Sequence, residues 1–338
     1  MGGMIFDPGV LADSLSETAG YKAGLALSVE ELCDHLTGTD YPDTIRASEQ
    51  YVVRLRSEEY EALFYKLLHR IGYTTEEYDG DYTGAKYFHK YRHSAAEQWA
   101  GVTELFVEMW PKLVETTLAS GSKSIDPRPF MQAAFDKHGR LGLDMAMERL
   151  DALDKVLNLS PHAMQRYVEW HSPIQLGALF KGTKDKPAFG RFIDQRYIDY
   201  LSKNDEQVGA IHWRKFEELT AEFFHREGYT VELGPGSNDD GVDVRIWKPS
   251  QKTTDNPHCL VQCKRQRDKV ERVVVKGLFA DVDFEGAQMG LIVTSSELSP
   301  GARATIAARG YPIREVDRNG LAEWLRKLRT PGTGIVRV

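Results

Sequence analysis

Three short stretches of this chain carry side chains whose types and spacing could do chemistry together. They are Glu217 in Trp213-Arg-Lys-Phe-Glu, Asp243 in Asp-Gly-Val-Asp-Val, and Gln262 with Lys264 in the tripeptide Gln-Cys-Lys. Two carboxylates and an amide carbonyl are the oxygen ligands that hard divalent cations prefer. A lysine amine beside them is a compact positive charge suited to a phosphate oxygen. The layout is that of a hydrolytic metal site acting on phosphodiesters.

Strand alternation is expected to position these groups, because successive side chains point to opposite faces. In residues 242–247, Val242, Val244 and Ile246 take one face while Asp243, Arg245 and Trp247 take the other. In residues 260–264, Gln262 and Lys264 fall together, with Val261 and Cys263 opposite. The polar, proline-containing stretch 248–257 suits a long hairpin loop. Pairing the two strands would bring Asp243 beside Gln262 and Lys264. Glu217 arrives on a helix with Trp213, Phe216, Thr220, Phe223 and Phe224 at helical spacing and Gly228 as its stop. It sits at the edge of that apolar stripe, able to lean over the sheet. Glu218 and Glu222 are the alternative helix carboxylates.

Phe216-Glu217, Gly228-Tyr229, Asp239-Asp-Gly-Val-Asp243 and Val261-Gln-Cys-Lys-Arg265, followed by Gly290-Leu-Ile-Val-Thr-Ser295 and Ser299-Pro-Gly-Ala302, occur in this order. With them the chain from about 208 to 329 resembles the Mrr-like catalytic domain of type IV restriction endonucleases, a branch of the PD-(D/E)XK nuclease superfamily. The resemblance implies a restriction-endonuclease-like α/β domain that cuts DNA with Mg²⁺, Mn²⁺ being a substitute, in bacterial restriction or antiviral defence. It favours Glu217 over its neighbours. Gln262 stands where the superfamily's name promises Asp or Glu, a form usual for this branch; its carbonyl can meet a hard cation but adds no charge. Asp243 must then anchor the metal, with Glu217 as the second negative group, directly or through water. The expected reaction is in-line attack of a metal-activated water, with Lys264 stabilising the pentacovalent phosphorus or orienting the nucleophile. Cutting both strands of a duplex suggests a homodimer.

At 338 residues, 41% of them hydrophobic, the chain has the size and composition of a two-domain globular protein. No apolar run approaches the roughly 20 residues of a membrane span, and the amino terminus lacks the basic-then-apolar pattern of a signal peptide. Cys33, Cys259 and Cys263 make no disulfide framework, which fits a reducing cytoplasm. The net charge of −7 argues against a general nucleic-acid coat, but its distribution is uneven. Residues 206–338 carry +1 and the remainder −8. In the near-neutral part, Lys264 is followed by Arg265, Arg267, Lys269, Arg272 and Lys276, a basic cluster that could track DNA phosphates or simply form a solvated face.

Residues 1–205 read as an all-helical domain, with helices expected at 57–70, 94–119 (kinked or restarted at Pro111), 127–137, 141–158 and 161–170. The boundary is placed near 203–209, the nuclease-like domain at 206–330 and a tail at 331–338. After Gly228 the pattern predicts a strand from Thr230, the hairpin 242–264, a helix at 272–284, a strand at 290–295, a helix at 299–309 capped by Ser299 and stopped by Gly310, a strand at 311–316 and a helix at 319–328. That is a mixed sheet flanked by helices. Residues 60–74 echo 216–230, which raises a decayed duplication against two helices that merely end alike.

Other candidates are weaker. Residues 234–238 lack the Lys-Ser/Thr of a phosphate-binding loop and read as a connector. His258, Cys259 and Cys263 read as core and surface instead of a zinc site, His89 and His93 as surface, and Ser295 and Ser296 as turn or cap residues. The acidic helical domain is expected to recognise modified bases, bind a signalling nucleotide or regulatory partner, restrain the nuclease or mediate assembly. Two rival functions stand beside restriction: a structure-selective repair or recombination nuclease, and an inactive DNA-binding or scaffold protein on a nuclease fold.

Overall fold

The computed structural model describes residues 3–78, 84–122, 124–167, 170–183, 185–236 and 241–329. The expected tail at 331–338, residues 237 and 238 of the glycine-rich connector, and Asp239 and Asp240 of the acidic motif lie outside them. The described residues divide into two compact units, one up to Pro173 and one from Ile174 onward. Among the described residues no helix is long and apolar enough to cross a membrane.

The amino-terminal unit runs β1 (Gly3–Phe6), α1 (Val10–Ala23), β2 (Leu25–Ala26), α2 (Val29–His35), α3 (Tyr41–Ser48), β3 (Val53–Arg56), α4 (Ser57–Arg70), α5 (Gly84–Tyr91), α6 (Ala96–Ala119) and α7 (Arg128–Leu159). It is helical, as the periodicity implies, with the addition of an antiparallel ribbon in which Gly3 pairs with Arg56 and Phe6 with Val53. The expected helices at 127–137 and 141–158 are both present, joined at Gly139, whose φ of 63° and ψ of −152° break the helical path. Pro111 neither stops nor restarts α6. The carbonyl that its ring deprives of a donor belongs to Val107, a residue 65% exposed, so water can satisfy it.

The helix expected at 161–170 is absent from the described residues. Its carbonyls bond elsewhere: the Lys22 ammonium donates to Ala163 O at 2.8 Å and Gln165 O at 2.5 Å, and the Tyr21 hydroxyl donates to Met164 O. Burial, and then the charge of Arg166, lowers the Lys22 amine to about 8. A tertiary lysine here replaces the i→i−4 ladder, and local periodicity carries no sign of that.

The carboxy-terminal unit begins about thirty residues before the expected boundary. It runs β4 (Ile174–Gln175), α8 (Gly177–Lys181), α9 (Gln195–Lys203), a 3-10 turn (Asp205–Gly209), α10 (Trp213–Arg226), β5 (Thr230–Leu233), β6 (Val244–Trp247), β7 (Cys259–Lys264), α11 (Arg272–Phe284), β8 (Met289–Thr294), α12 (Pro300–Arg309), β9 (Ile313–Val316) and α13 (Arg318–Leu328). The stretch that looked like a linker is the 3-10 turn, anchored by buried Val208, and α9 packs on α13. Periodicity alone could not tell α9 from the helices before it.

Among the described residues, β5-β6-β7-β8-β9 form one mixed sheet. The β5–β6 and β6–β7 pairs are antiparallel, and β7–β8 and β8–β9 parallel. One layer of core, made by Leu260, Val275, Leu278, Val282, Ile292, Ala302 and Ile313, lies between the sheet and α11 and α12. On α10 and α13 the rings of Phe223 and Trp324 stack at 3.9 Å. Ser299 caps α12 by accepting from Ala302 N, and Gly310 closes it in the left-handed region.

Asp194 organises the start of α9. Its carboxylate accepts from Arg196 Nε at 2.7 Å and from the amides of Ala188 and Phe189, and both members of the ion pair are buried. Burial opposes ionisation, but the hydrogen bond and charge of Arg196 outweigh it and hold the carboxyl below its usual range. Such a group stabilises the fold above its unfolded pKa of about 3.9, and that contribution is lost as pH falls through the lower folded value. Asp194→Ala removes the buried carboxylate that the Arg196 guanidinium pairs with and should cost about 3–5 kcal/mol, read as a lower urea midpoint for the carboxy-terminal unit; an unchanged midpoint would show that the pair adds nothing to stability.

Candidate active site

Asp243 lies just outside β6, where the pairing with β7 is irregular. The register sets Val244 opposite Val261, yet Asp243 N also donates to Val261 O at 2.9 Å. Two residues of one strand therefore face one residue of the other, which is a β-bulge, a device that re-aims side chains and breaks alternation. Two consequences correct the simple alternating pattern. Val242 packs with Leu260 and Ile292 beneath α11, away from the face expected to hold Val244 and Ile246. The Asp243 carboxylate, instead of standing on the face of Gln262 and Lys264, turns into the ladder and accepts from Cys263 N at 2.6 Å. Strand amides point along the plane of the sheet, so the carboxylate sits between the two strands. It binds the one amide flanked by Gln262 and Lys264.

Glu217 reaches the same place from α10. It is buried, 6% exposed, and its carboxyl shares a hydrogen bond with Asp243. Burial, and then the adjacent Asp243 charge, pushes Glu217 up to about 7, against the opposing pull of Arg214. Arg214 Nη1 donates to Glu217 Oε2 at 2.9 Å and to Gly234 O at 2.8 Å, tying the helix to the end of β5. This positioning arginine was not singled out from the sequence, although its i,i+3 spacing to Glu217 was the available signal.

The neighbouring acids are committed elsewhere. Glu218 pairs with Lys215 at 2.6 Å, and Glu222 accepts from Arg191 N and Phe192 N while pairing with Arg226. The remaining candidates are also structural. Cys263 Sγ lies 3.5 Å from Thr220 Oγ1, and burial holds its thiol well above its usual pKa. Burial pushes Cys259 up to about 12, while half-buried His258 meets Gln288. Ser295 Oγ bonds the backbone of Gln266, and Ser296 Oγ donates to Arg267 O. His89 and His93 are exposed.

Gln262 supplies the test of whether a cation fits. Its carbonyl oxygen is buried and has no hydrogen-bond partner among the described residues, a costly state for a polar atom. Its amide nitrogen lies so close to Gly241 that a Cβ there would sit 2.9 Å away, and Gly241 has a φ of 89° that side chains disfavour. Among the described residues no group of three or more His, Cys, Asp and Glu side chains is placed to hold a metal ion. Two adjacent carboxylates and an orphan carbonyl remain, an all-oxygen set suited to a hard divalent ion that keeps several waters.

Lys264 ends β7 and makes no ion pair with a described residue. Of the basic residues after it, Arg265 donates to Gly209 O at 3.3 Å and Lys269 pairs with Glu297 at 2.7 Å. Arg267 is exposed, as are Arg272 and Lys276 on α11. The structure thus brings Glu217 and Asp243 together, sets Gln262 and Lys264 on either side of the amide that Asp243 binds, and disperses the basic cluster.

Comparison with known proteins places part of the chain in a family. The family model Mrr_cat, described as restriction endonuclease, matches residues 208–325. No curated protein matches the chain. A solved structure, the MspJI restriction endonuclease in complex with a 27-mer oligonucleotide, is 19% identical with a TM-score of 0.28, over 56% of this chain and 40% of that one. The chain therefore spans well under half of that enzyme. Residues 208–325 are a restriction endonuclease domain of the Mrr catalytic type, preceded in the chain by a helical region.

Proposed function

We propose that this protein is a Mg²⁺-dependent DNA endonuclease, with Mn²⁺ as a substitute, acting in restriction or antiviral defence in the cytoplasm. In this reading the helical region controls where or when it cuts, and a homodimer supplies the second site that a double-strand break needs. The observation that carries the proposal is the pairing of buried Glu217 with half-buried Asp243, whose carboxylate binds the amide between Gln262 and Lys264, two residues whose carbonyl oxygen and amine have no hydrogen-bond or ion-pair partner among the described residues.

Asp243, Glu217 and Gln262 would hold the cation. The chemistry it supplies in such a site is acidification of water and neutralisation of charge on the phosphate. The chain's own contributions are distinct. Cys263 N fixes one Asp243 oxygen, and Arg214 fixes one Glu217 oxygen. Lys264 can donate to a phosphate oxygen and offset the negative charge that grows on it, without first giving up an internal partner.

Purified protein with Mg²⁺ should cut DNA, and EDTA should abolish cutting. Asp243→Ala and Lys264→Ala should each lower the rate by at least about a hundredfold with the melting temperature little changed. Wild-type cleavage in both variants would refute the assignment. Comparing linear, nicked, branched and methylated substrates separates restriction from structure-selective repair; intact binding with no cleavage on any of them favours the inactive binding protein.

Gln262→Met keeps the volume and removes the oxygen. It should raise the Mg²⁺ concentration needed for half-maximal cleavage, while Gln262→Glu lowers it. If neither variant shifts the Mg²⁺ titration, the Gln262 carbonyl is not a ligand.

A further inference from the structure

Because β7, β8 and β9 run parallel, with Lys264 beside Thr294 and Val293 beside Val316, their carboxyl ends share one rim of the sheet. A cleft of about 600 Å³ opens there, starting one residue beyond Lys264. Arg265, Arg267, Ser295 and Arg318 line it from the strand ends, and Asp205 and Gly209 from the 3-10 turn. Its frame is fixed by hydrogen bonds: Arg265 to Gly209 O, Ser295 Oγ to both backbone groups of Gln266, Ser296 Oγ to Arg267 O, and Arg318 N to Ser296 O.

Resting on the nuclease reading above, we propose that this cleft seats the sugar-phosphate backbone of the DNA strand flanking the scissile bond, with Arg267 and Arg318 as its phosphate ligands. Both side chains are exposed, and neither makes an interaction with a described residue. By contrast, Lys269 is neutralised by Glu297, while Arg272 and Lys276 lie on α11 and do not line the cleft. A guanidinium fork matches phosphate geometry. Asp205 and Glu206 give the turn side of the cleft negative charge, so a phosphodiester is repelled from it and driven toward the arginines. The carboxyl ends of parallel strands are where open α/β sheets present ligand crevices. Arg318 was invisible to the search for basic runs because it lies more than fifty residues after Arg265 and meets it only through the strand order.

The test measures binding of a labelled duplex by fluorescence anisotropy in EDTA over a salt series, with the full chain. Arg267→Gln with Arg318→Gln should weaken binding at least about tenfold and flatten the plot of log affinity against log salt by roughly 0.9 per arginine removed. Arg267→Lys with Arg318→Lys should retain the slope, and Arg272→Gln with Lys276→Gln should change it less. Both arginines are exposed, so the double variant should melt like wild type; if it does not fold, each single Gln variant must move the slope in the same direction. An unchanged slope overturns the cleft assignment, while Mg²⁺-dependent cutting that Asp243→Ala abolishes would leave the nuclease reading standing. Displacement of the duplex by free ATP from wild type but not from the double variant would make the cleft a nucleotide pocket and also overturn the proposal. A wild-type chain that binds no duplex at all removes both.

Discussion

Buried Glu217 and half-buried Asp243 meet at the junction of α10, β6 and β7, and the geometry around them follows from holding them there. Like charges at hydrogen-bonding distance are unfavourable unless a proton or a cation lies between them, and burial raises that cost, which is why Glu217 is pushed up to about 7. The protein meets the cost with directed donors: the Cys263 amide for Asp243, and the Arg214 guanidinium for Glu217. The bulge makes the first possible by turning Asp243 into the ladder. Arg214 makes the second possible and, through Gly234, binds the helix to the neighbouring strand. Helix, bulge and strand end are thus one mechanical assembly.

The site was legible in the sequence to the extent that it rests on local pattern. The stripe of α10, the stop at Gly228, the spacing of Asp243 and the Gln-Cys-Lys tripeptide are enough to select the segments. Glu217 emerges from its neighbours for a reason the sequence only hinted at, since Glu218 and Glu222 are already bonded and Glu217 faces Asp243. What could not be read were the departures from regularity. A bulge changes which face a side chain takes without changing composition, so the alternating pattern misplaced Val242 and the Asp243 carboxylate. The missing helix at 161–170 has the same origin: Lys22, far away in sequence, takes the carbonyls that the helix would have used.

The echo between residues 60–74 and 216–230 also gains a physical account. Both α4 and α10 span 14 residues and end in the same left-handed stop, Gly72 at φ 87° and Gly228 at φ 88°. In each, the glycine amide and the tyrosine amide after it bond back to the last turn, Tyr73 N to Leu68 O and Tyr229 N to Phe224 O. The described residues after α4, 71–78, contain no strand. Similar helix stops account for the likeness, whereas among the described residues α10 is followed by strands that supply an acid and an amine and α4 is not.

The common direction of β7, β8 and β9 divides the domain into parts under different constraints. Their interiors, with Leu260, Ile292 and Ile313, must keep size and shape to fill the layer under α11 and α12. Beyond their ends, the connecting loops lie on the outside and tolerate changes of length and charge without disturbing that layer. Such a scaffold is evolvable in a specific sense: the charge and length of the rim can drift while the paired acids stay fixed behind it.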